Sequence, residues 1–330
     1  MMRTIFLAIT LFCTSATFAE SRFLLKADGV TDTYTLIEES GFYAETSGNQ
    51  TPDEFMCHPE YSHISQLWDD ELEQHVFAFD IHVDFDEDGE LVTDGNKSTL
   101  VDRQRNEIKC MSSKEGTVAK DGESITYKWK FKLPEGMKTT KEFCHIHQIK
   151  GMGDGAEVAH PVFTLTCRST TSRQVLQVIN VPYEGSANVN LAQVDLEPLL
   201  GKWIEATESI TVGHNGKYSL TLTDIYTGKT IVAINKDDIE VWRDTEDAST
   251  MRGKWGIYRS LGANLNLKDE LQSERILFAD IEATKGSAFV NEIYEIQNPV
   301  DYPYYDLTGR KVKTPTRGIY IRKGEKILFQ

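Results

Sequence analysis

The stretch Tyr127-Lys128-Trp129-Lys130-Phe131-Lys132-Leu133 alternates aromatic or apolar residues with lysines without a break. A period of two suits an extended strand with one buried and one wet face. Shorter runs of strand type recur over 31–37, 75–85, 142–150, 161–168, 174–181, 217–225, 229–235, 275–284 and 290–297. The pairs Asp88-Gly89, Asp121-Gly122, Asn215-Gly216 and Thr227-Gly228 punctuate them as turns. Helical spacing is confined to short candidates at 64–73 and 191–199. Many short strands joined by tight turns, without alternating helices, predict an all-β sandwich of two sheets and not a parallel α/β fold.

The first nineteen residues have the anatomy of an export signal: Arg3, an apolar stretch from Ile5 to Phe12, and the small-residue exit Thr17-Phe18-Ala19. Phe12 before Cys13 disfavours lipid attachment there. No later run approaches the roughly 18 apolar residues of a membrane span. The chain is therefore expected to be secreted, periplasmic or displayed at the cell surface, and monomeric. Its formal net charge of -16, one unit more negative once Arg3 is removed, argues against nucleic acid as a partner. Cys57, Cys110, Cys144 and Cys167 remain after the leader, with no CxxC pair to suggest zinc and no spacing that dictates a pairing. Composition shifts near Pro299 toward Tyr, Lys, Arg and Gly. The expected division is thus a leader at 1–19, a main β domain at 20–298 and a small C-terminal β extension at 299–330.

Three segments carry polar residues at spacing two, which places them on one sheet face. In the first, Arg103, Arg105, Glu107 and Lys109 point the same way. They form either a solvated stripe or a charged binding surface. In the second, Phe143-Cys144-His145-Ile146-His147-Gln148-Ile149-Lys150-Gly151, His145 and His147 are expected on one face and Cys144, Ile146 and Gln148 on the other. Such a pair suits acid/base work or substrate contact, metal ligation, or plain surface placement. In the third, Lys254, Gly256 and Tyr258 face one way and Trp255 and Ile257 the other. The glycine there serves either the close approach of a ligand or a bulge. A fourth feature, Asp84-Phe85-Asp86-Glu87-Asp88-Gly89, gathers Asp84, Asp86 and Asp88 as in a calcium loop. Gly95 at the twelfth position excludes an EF-hand, leaving a structural calcium loop or an acidic hairpin turn.

Together the three strand segments resemble the jelly-roll polysaccharide lyases of the alginate-lyase and heparin-lyase types. Their Arg-x-Glu-Leu-Arg-like strand is matched by Arg105-Asn106-Glu107-Ile108-Lys109, their Gln-Ile-His strand by His145-Ile146-His147, and their Lys-x-x-x-Tyr segment by Lys254 and Tyr258, in the same chain order. His145 stands where the alginate type has glutamine, and Lys109 replaces an arginine whose bidentate pairing a lysine cannot copy. The resemblance implies a concanavalin-like jelly roll that cleaves an acidic, uronate-containing polysaccharide by β-elimination. The end of the chain, Tyr305-Asp306-Leu307-Thr308-Gly309-Arg310-Lys311-Val312 with Gly318-Ile319-Tyr320-Ile321, resembles the last strands of a type IX secretion sorting tail, the alternative being a plain terminal hairpin.

On this reading Arg105 and His145 bind the uronate carboxylate, and Tyr258 protonates the departing oxygen, its phenol made more acidic by Lys254 and Arg105. His147 or Tyr258 takes the C5 proton. Lys254, Glu107, Lys109, Arg103 and Arg168 are candidate substrate contacts. No organic cofactor is required, and Asp84, Asp86 and Asp88 leave room for a structural calcium. The expectation requires Arg105, both histidines and Tyr258 to meet in one groove. Two rivals remain: a non-catalytic glycan-binding sandwich, and a glycoside hydrolase, for which no Glu-x-Asp-x-x-Glu strand is present.

Overall fold

In the computed structural model the described residues are 21–46, 63–84, 102–153, 159–243 and 249–286, with short pieces at 304–306, 310–312, 318–322 and 325–329. The strands of the N-terminal half are β1 (Ser21–Leu25), β2 (Phe42–Thr46), β3 (Ile64–Asp69), β4 (Gln74–Ile81), β5 (Arg103–Cys110), β6 (Val118–Ala119), β7 (Ser124–Lys132) and β8 (Cys144–Gly151). They are followed by β9 (Phe163–Ser169), β10 (Gln174–Asn180), β11 (Val189–Asp195), β12 (Trp203–Thr211), β13 (Gly213–Asp224), β14 (Thr230–Val241), β15 (Met251–Ser260) and β16 (Glu274–Lys285).

These strands make two antiparallel sheets. One runs β14-β13-β12-β7-β16-β4-β3, with β1 on β16; the other runs β11-β10-β9-β8-β15-β5-β2, with β6 on β15. The expected all-β jelly-roll sandwich is what the chain adopts. Its core is the apolar half of each alternating strand. Trp129 of β7 and Trp255 of β15 meet edge to face at 5.9 Å, and Phe163 of β9 stacks on Tyr218 of β13 at 3.8 Å, so aromatic rings from opposite sheets interlock. Lys130 and Lys132, on the other face of β7, pair with Asp280 and Glu71.

Four local expectations change. Residues 33–39 form a short helix, α1 (Thr33–Glu39), because Asp32 caps it by accepting the Thr35 amide at 2.9 Å, a local bond that overrides strand patterning. The helical candidate at 64–73 is β3 and its turn, and that at 191–199 is β11 followed by a single 3-10 turn. Both stretches sit in sheets, whose pairing outweighs a weak helical pattern. Asn215-Gly216 lies inside β13 at register shifts and not in a hairpin turn. A Cβ on Gly216 would come within 2.5 Å of the Thr211 carbonyl oxygen, so close backbone approach explains that glycine.

Cys110, Cys144 and Cys167 are buried free thiols. Among the described residues no helix is long and apolar enough to cross a membrane. The chain divides into compact units at 1–289 and 290–330. The second contains β17 (Tyr304–Tyr305), β18 (Lys311–Val312), β19 (Gly318–Arg322) and β20 (Glu325–Phe329), an antiparallel sheet in the order β18-β17-β19-β20.

Candidate active site

Strands β8, β15 and β5 are neighbours at the centre of their sheet, and the register decides which side chains meet. Tyr258 lies opposite Arg105 on one side and His145 on the other. Directly opposed residues of antiparallel strands project to the same face. Arg103, Arg105, Glu107 and Lys109 therefore share the outer face of the sheet, while Gln104, Asn106, Ile108 and Cys110 are buried in the sandwich. The charged stripe is a functional candidate because it surrounds the phenol. The Arg105 guanidinium sits 4.2 Å above the Tyr258 ring, and Arg103 Nη1 donates to Tyr258 Oη at 2.9 Å. Asp102 holds Arg103 in place at 2.6 Å.

His145 is stacked on Phe143 with ring centroids 4.6 Å apart, and its ring centre is 6.0 Å from that of Tyr258. Its Nδ1 is shielded from solvent without a hydrogen-bond partner. Burial first, then the nearby charges of Arg168, Lys254, Lys150 and Arg105, push the imidazole down to about 3. At neutral pH His145 is thus an uncharged ring, weak as a base and suited to donate an N–H.

His147 departs from expectation. It is 2% exposed and lies inside the sandwich, where Nε2 is 2.7 Å from Glu208 Oε2 of β12, and Tyr218 Oη donates to Glu208 Oε1 at 2.9 Å. Trp129 and Trp255 flank its ring at 4.3 and 5.0 Å. The cause is an irregularity in β8. Against β9, the two steps from His145 to His147 match the single step from Thr166 to Leu165, so Ile146 is the extra residue of a bulge that reverses the alternation; against β15 the register shifts at the same place, with the extra residue on β15 between Trp255 and Tyr258. Ile146 and His147 both turn inward, and Gln148 and Lys150 take the outer face instead. His145 and His147 do not share a face, and the expected imidazole pair does not form.

Lys254 and Glu107 do lie on the outer side, but as its floor. Lys254 is 2% exposed and Glu107 is fully enclosed. Lys254 Nζ is 2.8 Å from Glu107 Oε2 and 2.9 Å from Glu45 Oε2, and Gln148 donates to Glu107 Oε1. These two residues brace the site and do not present their charges to a ligand. Lys109 reaches Glu45 at 3.4 Å, and Arg105 is also paired with Glu45. Burial alone would raise the Glu45 carboxyl, but Lys254, Arg105 and Lys109 hold it well below the usual carboxylate range. Arg168 of β9 acts on His145 and donates to the Lys141 carbonyl oxygen at 3.3 Å.

Gly256 serves the backbone. At φ +145°, a Cβ there would lie 2.1 Å from the Asn106 carbonyl oxygen, so the residue permits close approach of β5 at the irregular step of β15, and the bulge reading replaces that of room for a polymer. Asp84 is largely exposed, 3.9 Å from Lys268, whereas Asp86 and Asp88 lie outside the described residues. No group of three His, Cys, Asp or Glu side chains suited to a metal occurs among the described residues.

Glu45, Gln148, Lys150 and Arg252 are the residues that sequence reasoning missed. A signal for the bulge existed. Ile146 and Ile149 are both buried, yet three apart, which an unbroken alternation does not allow. Glu45 had none, being one acid in a five-residue strand.

No protein-family model and no curated protein matches the chain. Solved structures do resemble it in fold. An endo-β-1,4-glucuronan lyase from the fungus Trichoderma reesei is 13% identical, with 73% of this chain and 94% of that one covered, at a TM-score of 0.44. An alginate lyase of polysaccharide lyase family 7 is 14% identical over 76% of this chain and 96% of that one, at 0.48. The alginate lyase from Klebsiella pneumoniae is 15% identical over 67% and 84%, at 0.45. This likeness concerns the sandwich alone.

Proposed function

We propose that the chain is a polysaccharide lyase cleaving a uronate-containing polymer by β-elimination. The observation that carries this reading is the row Arg105–Tyr258–His145, three chemically distinct groups that are register partners on adjacent strands. A uronate C6 carboxylate bound by the Arg105 guanidinium and the neutral His145 ring would have its developing charge stabilised as the C5 proton leaves. With His147 inside the sandwich, Tyr258 is the residue left to take that proton and to return one to the departing O4. Arg103, donating to the phenolic oxygen, would meet negative charge arising there. The C4–O4 bond breaks and a C4–C5 double bond forms, so no redox partner or organic cofactor is needed.

The substrate we favour is a glucuronate or mannuronate polymer of modest charge density. The net charge of -16 opposes long-range capture of dense polyanions, leaving local cations to do the work. Selective cleavage of heparin over unsulfated polymers would overturn this choice. As part of the same proposal the enzyme acts outside the cytoplasm, with 1–19 as leader and 299–330 as sorting tail.

Incubation with uronate polymers should produce ultraviolet absorbance from the unsaturated sugar. Tyr258→Phe should lower the rate by about 10³-fold, the scale of a lost acid/base group, without shifting Tm. Full activity in that variant would remove Tyr258 from the reaction. One observation favours a binding protein instead: Arg105 and Lys254 are already ion-paired to Glu45. Retention of polymer without any absorbance change would support that second reading.

A further inference from the structure

The outer face of the same sheet carries more positive charge than the Tyr258 site uses. Arg252 and Lys150 are directly opposed on β15 and β8, and Lys254 and Lys109 are directly opposed on β15 and β5. Arg252 and Lys254 are two apart on one strand, so the four cations occupy two consecutive rows of one face. Like charges placed opposite each other destabilise a sheet unless something compensates them. Glu45 and Glu107 compensate Lys254, and Glu45 also reaches Lys109. Neither Lys150 nor Arg252 has a carboxylate within ion-pairing distance among the described residues, and Arg252 Nε is buried without a hydrogen-bond partner.

Burial is the main strain on these cations. It lowers Lys150 to about 8 with Lys254 and Arg105 adding to it, lowers Lys109 against the attraction of Glu45, and lowers Arg252 against that of Glu45 and Glu107. A chain this acidic does not gather cations on one face through composition alone. The cluster extends away from the phenol along the same face. Lys150 lies near enough to Arg105 and His145 to act on both, whereas Arg252 is six residues along β15 from Tyr258, roughly 20 Å at strand rise.

We propose that Lys150, Arg252 and Lys109 form a second anion-binding subsite, which holds a carboxylate of a sugar further along the polymer than the one on Arg105. The inference rests on the polyuronate reading of the Tyr258 site and extends it. Glu45 and Glu107 offset this group of cations only in part, and an oxyanion at this place would give Lys150 and Arg252 a direct partner. The enzyme should accordingly prefer long chains, since short oligosaccharides cannot engage both places at once.

The test compares the intact protein with the double variant Lys150→Gln/Arg252→Gln on polyglucuronate, on a glucuronate trisaccharide and on heparin, with binding by calorimetry and cleavage by absorbance. The expected result is a polymer Kd raised about tenfold, the scale of one lost charge-assisted contact, together with a weaker salt dependence and a polymer-to-trisaccharide ratio of kcat/KM lowered by a similar factor. Tm should hold or rise, since two repelling charges are gone. An unchanged polymer Kd, or an unchanged ratio, overturns the subsite. Heparin bound more tightly than polyglucuronate, with the excess lost in the double variant, would assign the place to sulfate and overturn the carboxylate. Should the intact protein bind polyglucuronate without cleaving it, and the double variant lose that binding, the subsite stands and the lyase reading falls.

Discussion

His145 and His147 are two residues apart in one strand, yet one belongs to the outer face and the other to the interior. On the outer face, an uncharged imidazole lies among Arg105, Arg168, Lys150 and Lys254, beside a phenol. In the interior, an imidazole bonds to Glu208, which also accepts from Tyr218, and two tryptophans close around it. The first environment is assembled from excess charge and is held open by compensation; the second is a satisfied polar link between the two sheets. What separates them is one bulged residue, so an outward charged cluster and an inward polar link are divided within a single motif.

The sharpest way to break this contrast is His147→Ala. It leaves Glu208 buried with one partner fewer and opens a cavity between Trp129 and Trp255, and it should cost about 4 kcal/mol. A lowered urea midpoint would show this, with the folded fraction keeping its turnover. A normal midpoint with lost turnover would return His147 to the reaction.

Gly256→Ala attacks the geometry that puts Tyr258 opposite His145. The added methyl collides with β5 backbone at a positive φ, for an expected loss of about 3 kcal/mol. Here stability and turnover should fall together, because the strand must shift to make room. Thermal unfolding and initial rates, measured on the same sample, check the coupling.

The smallest effect separates the histidines by pH. Folding lowers His145 from 6.5 to about 3, so between these values the unfolded chain binds the extra proton. The residue costs nothing above about pH 6.5 and destabilises progressively as pH falls through that window. Glu45, whose carboxyl is held low, adds its own loss only below its ordinary value of 4.5. His145→Gln should therefore flatten the stability profile between 6.5 and 4.5, by about 2.7 kcal/mol at the lower end, and change little at pH 7. Denaturant titrations at a series of pH values read this directly, and an unaltered profile would mean that the ring protonates in place without penalty.

Most of the sandwich was legible from local pattern. The alternation in β7 and the stripe Arg103 to Lys109 each revealed which side points out of the sandwich, because side-chain direction in a regular strand follows from spacing alone. Arg105 and Tyr258 were legible for the same reason. His147 was assigned to the wrong face because counting by two assumes an unbroken strand, and the spacing of Ile146 and Ile149 had signalled that it was broken. The helix at 33–39 was missed because one cap at Asp32 outweighed a strand-like pattern of a few residues.

By itself the sequence determined the class of fold, the burial of alternate residues and the charge of each stripe, all of which depend on neighbours in the chain. The tertiary structure alone decided strand order, register and the bulge. Those brought Glu45 of β2 to Lys254 of β15, set Lys150 against Arg252, and turned one histidine inward. The physical reason is that such pairings join residues far apart in the chain, Glu45 and Lys254 among them, and their energy belongs to both partners, so neither segment records it alone.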